Sequence, residues 1–145
     1  MNAEPLTPAH EERVRQALAR VPYAQLLGLE LEWVAAGIAV LALPLHPRLH
    51  QNSGVVHGGA TASLIDSATA FAILTLLPEG ERVTTIDLSI TYLRPLIAGR
   101  AQATARVLRF GRRVISVTAE VQADNGSVAA TALSTYLRLG PPTAP

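Results

Sequence analysis

The 145-residue sequence predicts an α+β domain in which an antiparallel sheet of about six strands wraps around one long central helix. Three observations carry that expectation. An apolar run over residues 58–77 is rich in small side chains and free of proline. Segments with a period of two lie on both sides of it, two before and four after. The later ones are joined by short turns, which favours an antiparallel meander.

In chain order, Thr7 or Pro8 opens a short helical segment with polar Glu11, Glu12, Arg13 and Arg15 and apolar Val14, Ala17 and Leu18. Pro22 is expected to end it. Residues 29–33 and 38–45 form two strands, turned at Ala35-Ala36-Gly37. Pro44 and Pro47 break that pattern, and residues 48–56 make a polar loop containing His50, Gln51, Asn52 and Gly54. The long helix follows, and its Ala60, Ala62, Ser63, Ala68, Ala70 and Ala72 let a curved sheet approach closely.

After Pro78-Glu79-Gly80 the period becomes two, with Ile86, Leu88, Ile90 and Tyr92 on one face and Thr85, Asp87, Ser89 and Thr91 on the other. Residues 101–110 form the next strand, and Ile115, Val117, Ala119 and Val121 mark the one after. Asp124-Asn125-Gly126 predicts a type I′ hairpin turn into a last strand over residues 128–139. The organisation is therefore a helical segment (1–22) packing on one domain (23–139), then a loose tail (140–145), with no internal repeat.

Composition narrows the function. Hydrophobic residues make up 49% and charged residues 16%, so part of the surface is expected to be covered by self-association. The net charge is +1 and all twelve basic residues are arginine, a balance that argues against a nucleic-acid coat. The absence of cysteine excludes disulfides and thiolate chemistry. The first eighteen residues are charged, without the apolar core of a signal peptide. Asp66 and five hydroxyl residues within the apolar run favour a covered helix over a membrane span.

Two features of that helix suggest chemistry. A carboxylate among apolar residues is costly unless it is hydrogen-bonded or lines a cavity, and Asp66 is such a carboxylate. Either a structural acid satisfied by hydroxyls or a functional one fits. His57-Gly58-Gly59 starts the same helix, where unpaired N–H groups and the helix dipole favour developing negative charge. A tight loop-to-helix turn with a capping His57 fits the same residues. Gly58 and Asp66 are about 12 Å apart along the axis, too far to address one carbonyl comfortably, so two protomers are expected to share each site.

The string Gln51-Asn52-Ser53-Gly54-Val55-Val56-His57-Gly58-Gly59-Ala60-Thr61-Ala62-Ser63-Leu64-Ile65-Asp66 resembles hotdog-fold acyl-CoA thioesterases of the PaaI-like, 4-hydroxybenzoyl-CoA thioesterase type. Thr91-Tyr92-Leu93-Arg94-Pro95 and Phe110-Gly111-Arg112-Arg113 extend the likeness across residues 23–139. The resemblance implies hydrolysis of acyl-CoA to free acid and CoA without metal or cofactor, by a cytoplasmic homodimer that pairs into a dimer of dimers. Asp66 would be nucleophile or general base, the Gly58 N–H would polarise the carbonyl, and His57 would shape the loop. Gln51 or Asn52 would contact substrate or water; several relatives carry Glu where this chain has Asp66, and the shorter side chain favours water activation.

Substrate contacts are expected from Gly59, Thr85, Tyr92, Arg94, Pro95, Arg109, Gly111, Arg112 and Arg113, with the guanidinium groups meeting CoA phosphates. Phe71 and Leu74 are expected in the acyl pocket. A non-catalytic acyl-CoA-binding module is the alternative, and it should lack the helix carboxylate. A hydratase would need a histidine paired with Asp66, and none follows it in the chain. His46, His50 and His57 lack carboxylate partners at metal-ligand spacing.

Overall fold

A computed structural model describes residues 3–141; the loose tail expected over 140–145 lies outside them from residue 142 on. Helix α1 (Pro8–Ala19) begins as expected, with the Thr7 side chain accepting from the His10 N–H. Pro22 does not merely end that segment. α1 stops at Ala19, and Pro22 opens a second helix, α2 (Pro22–Leu27). Proline suits the first helical position because its missing N–H has no partner there anyway. Gly28 then closes α2 in the left-handed region at φ 75°.

Strands β1 (Glu30–Ala35) and β2 (Ile38–Leu45) form a hairpin, and helix α3 (Gly58–Leu74) follows the polar loop. The helix ends three residues before the expected Leu77. Thr75 supplies the reason, since its hydroxyl donates to the Ala72 carbonyl and accepts from the Gly37 N–H of the β1–β2 turn. Strands β3 (Arg82–Tyr92), β4 (Gly99–Phe110), β5 (Val114–Ala123) and β6 (Val128–Leu139) complete one six-stranded antiparallel sheet in the order β1-β2-β4-β5-β6-β3. The expected β4-β5-β6 meander is present, and β3 is carried to the free edge beside β6.

The sheet curves around α3. Ala60, Leu64, Ala68 and Ala72 recur every fourth residue and are buried, with Ile65, Phe71 and Ile73 beside them. Opposite lie Ala101, Ala103, Ala105 and Ala130, all fully buried, so small side chains on both surfaces allow the close approach. The outer stripe of α3, including Ala62, Ser63, Asp66, Ser67 and Ala70, is only half-buried.

Two local expectations are corrected. The Asp124-Asn125-Gly126 turn is not type I′, because no non-glycine residue in the described chain has positive φ. Gly126 alone does, at 80°, and its N–H donates to the Ala123 carbonyl. The result is the three-residue loop with a bulge, in which only the glycine enters the left-handed region. The second correction is the phase of β3. Thr85 pairs with Tyr136 and Asp87 with Thr135, so Ile86 is an extra residue in a bulge. Thr85 therefore shares the inner, half-buried face with Val83, Leu88 and Ile90, while Ile86 is 56% exposed.

Candidate active site

His57 caps α3: its backbone is extended and its Nδ1 accepts from the Gly59 N–H at 2.8 Å. The Ala60 N–H goes to the His57 carbonyl. Among the described residues no acceptor meets the Gly58 N–H, which stands at the positive end of the helix dipole. Tyr92 at the end of β3 donates its hydroxyl to the Gly58 carbonyl at 2.9 Å and lays its ring against Gly58. Gly58 and Tyr92, with Thr61, Arg94, Pro95 and Leu96, line a cavity of about 340 Å³.

Asp66 opens elsewhere. It lines a separate cavity of about 320 Å³ with Tyr23, Ala62, Ser63, Ser67, Thr85 and Leu88. Its Oδ1 accepts from Thr85 Oγ1 at 2.9 Å and from the Tyr136 hydroxyl at 3.1 Å. No donor among the described residues reaches Oδ2. The bulge at Ile86 is what turns Thr85 toward the carboxylate, so a one-residue irregularity builds half of its support. Tyr23 of α2 hydrogen-bonds Ser63 Oγ at 2.8 Å and closes one side of the cavity.

The chain thus holds, among the described residues, an unpaired N–H donor in one cavity and a partly free carboxylate in another. The first can polarise a carbonyl oxygen; the second can take a proton from water or attack carbon. Phe71 is buried in the core and, like Leu74, lines neither of these two cavities.

The remaining candidates fall into three groups. Gln51 folds back on its own loop, its Oε1 accepting the Ser53 N–H at 2.8 Å, while Asn52 is exposed. Arg94 is exposed and donates through Nη1 to the Val128 carbonyl. Arg109, Gly111, Arg112 and Arg113 lie at the other end of the sheet. β4 starts at Gly99, next to Leu96 and Ile97 that bond the loop before α3, and runs roughly 35 Å to the β4–β5 turn. Within the chain they do not meet Gly58. Among the described residues no group of three His, Asp or Glu is placed to hold a metal ion.

Gly111 has a structural task of its own. A Cβ there would sit 2.4 Å from the Val114 carbonyl oxygen, which accepts the Gly111 N–H. Gly111→Ala is expected to destabilise by about 2 kcal/mol, lowering Tm by roughly 5 °C. Arg112→Ala, on the exposed turn, should leave Tm within about 1 °C, and thermal melts of both variants check this.

Tyr136 and Tyr23 were not singled out by the sequence. Tyr136 carried a faint signal: β6 offers Ala130, Ala132 and Ser134 inward, and the one large member of that face has a polar tip needing a partner. Tyr23 carried none, since it follows a proline that read as a stop.

Comparison with known proteins gives a consistent picture. A sequence model described as the thioesterase superfamily matches residues 53–130. The medium/long-chain acyl-CoA thioesterase YigI of Escherichia coli is 33% identical over 132 residues, covering 81% of this chain and 85% of YigI. A mutant of the phenylacetic acid degradation protein PaaI from Thermus thermophilus superposes with a TM-score of 0.75 at 33% identity, covering 81% of this chain and 99% of that one. A thioesterase family protein from Silicibacter pomeroyi superposes with a TM-score of 0.84 at 28% identity, covering 90% and 98%. No helix among the described residues is long and apolar enough to cross a membrane.

Proposed function

Because the chain belongs to the thioesterase superfamily, we propose that it hydrolyses acyl-CoA thioesters to free acid and CoA, with Asp66 as general base. The observation that carries this is the state of the Asp66 carboxylate. One oxygen is tied by Thr85 and Tyr136, the other meets no donor among the described residues, and Asp66 lines a cavity. In the proposed reaction Oδ2 takes a proton from water, whose oxygen bonds the thioester carbonyl carbon. Negative charge collects on the carbonyl oxygen and is met by the Gly58 N–H. Collapse of the tetrahedral adduct breaks the C–S bond, and the proton passes from Oδ2 to the departing sulfur.

The site is proposed to be shared by two protomers, Gly58 from one and Asp66 from the other. Three features support this: the two groups open into separate cavities, β3 is an eleven-residue edge strand with one side unpaired, and the arginine-rich β4–β5 turn is remote from Gly58. A second protomer would also cover the half-exposed stripe of α3. Pairing of such dimers into tetramers, with Arg109, Arg112 and Arg113 meeting CoA phosphates from another protomer, belongs to the same reading. A cytoplasmic location belongs to the same reading.

The test is release of free thiol from short-, medium- and long-chain and aromatic acyl-CoAs. Likeness to YigI puts medium and long chains first. Turnover on at least one of these substrates is expected. Tight binding of acyl-CoA with no thiol release on any of them would favour a binding module instead.

A further inference from the structure

Tyr136 lies on β6 directly opposite Thr85 of β3 and is 1% exposed. Its phenol oxygen is 2.8 Å from Thr69 Oγ1, 2.9 Å from the Asp66 carbonyl oxygen and 3.1 Å from Asp66 Oδ1. A phenol has a single proton to give. The Asp66 carbonyl lies inside α3, where the helical N–H ladder already serves it. The carboxylate is the charged acceptor, and hydrogen bonds to charged acceptors are roughly twice as strong as neutral ones. The Tyr136 proton therefore belongs on Oδ1, with Thr69 donating to the phenol oxygen in turn. Such a chain of donors polarises along its length toward the negative end.

We propose that Tyr136 is a positioning residue for the thioesterase reaction: with Thr85 it holds Asp66 Oδ1, so that Oδ2 alone is offered to water. This rests on the proposed role of Asp66. Burial pushes the Tyr136 hydroxyl up to about 12, so it keeps its proton through neutral and mildly alkaline pH. The groups facing Asp66 from the packed elements are Tyr23 from α2, Thr85 and Leu88 from β3 and Tyr136 from β6. No cation is among them, so hydroxyl donors stabilise the charge.

Tyr136→Phe keeps the ring and removes only the hydroxyl. Loss of a donor to a carboxylate disfavours its charged form. The acid limb of log kcat/KM against pH is therefore expected to move about one unit to higher pH, a roughly tenfold loss below the limb that shrinks as pH rises. KM should stay within about twofold, since the hydroxyl does not line the cavity. An unmoved limb, or an equal loss at every pH, overturns the proposal. Thr69→Val removes the first donor of the chain and leaves the phenol in place. It should shift the limb the same way by a smaller amount, and if Tyr136→Phe does not fold, an unmoved limb in Thr69→Val is decisive against it. A wild-type protein inactive on thioesters, or an active Asp66→Asn, defeats the parent reading instead. An active wild type with an inactive Asp66→Asn and an unmoved limb in Tyr136→Phe defeats only this one.

Discussion

Asp66→Asn is expected to lower kcat on the best acyl-CoA by about a thousandfold or more, roughly 4 kcal/mol of transition-state stabilisation. The amide is a demanding replacement because it preserves almost everything else. Its oxygen can still accept from Thr85 and Tyr136, as Oδ1 does, so the fold around it should be undisturbed. What changes is the second oxygen, which becomes an NH2 group that donates protons and cannot take one. KM should therefore stay within a few-fold while kcat falls. A steady-state comparison with the wild type reads this directly. An Asn variant that retains even a tenth of kcat would mean that Asp66 is a structural carboxylate.

Much of this arrangement could be read from residues alone, and the parts that could not share a cause. The central helix and Asp66 were legible because a charge in an apolar run contradicts its surroundings, and such contradictions need a partner or a cavity. His57-Gly58-Gly59 was legible through the string that runs on to Asp66, since two glycines at a helix start fit a tight turn equally well. The register of β3 was not. Alternation is a period-two signal, and one extra residue at Ile86 reverses it without any change in composition. That reversal is why Thr85, already a candidate, came out on the wrong face. Tyr136 was hidden differently, since an aromatic in the last strand reads as core filler until the helix turn above it is known. Pro22 misled because the residue that stops one helix can equally start another.

Gly58→Pro is expected to cost about a hundredfold to a thousandfold in kcat, because it deletes the one N–H assigned to the carbonyl oxygen. Proline normally breaks a helix, but Gly58 is the first residue of α3, where the N–H has no helical partner. The residue before it must be extended, and His57 already is, at φ −60° and ψ 133°. Gly58→Ala is the control. It keeps the N–H and adds a Cβ 3.3 Å from the ring of Tyr92, an exposed side chain that can yield, so most activity should survive. The same variant decides whether the site is shared. Gly58→Pro and Asp66→Asn, each nearly inactive alone, would be denatured together and refolded as a mixture. With shared sites, a mixed dimer carries both defects in one site and neither in the other. Random assortment makes half of the dimers mixed, so about a quarter of wild-type activity should return. If each protomer builds its own site, the mixture shows only the average of two nearly dead proteins, and the two-helix site is refuted.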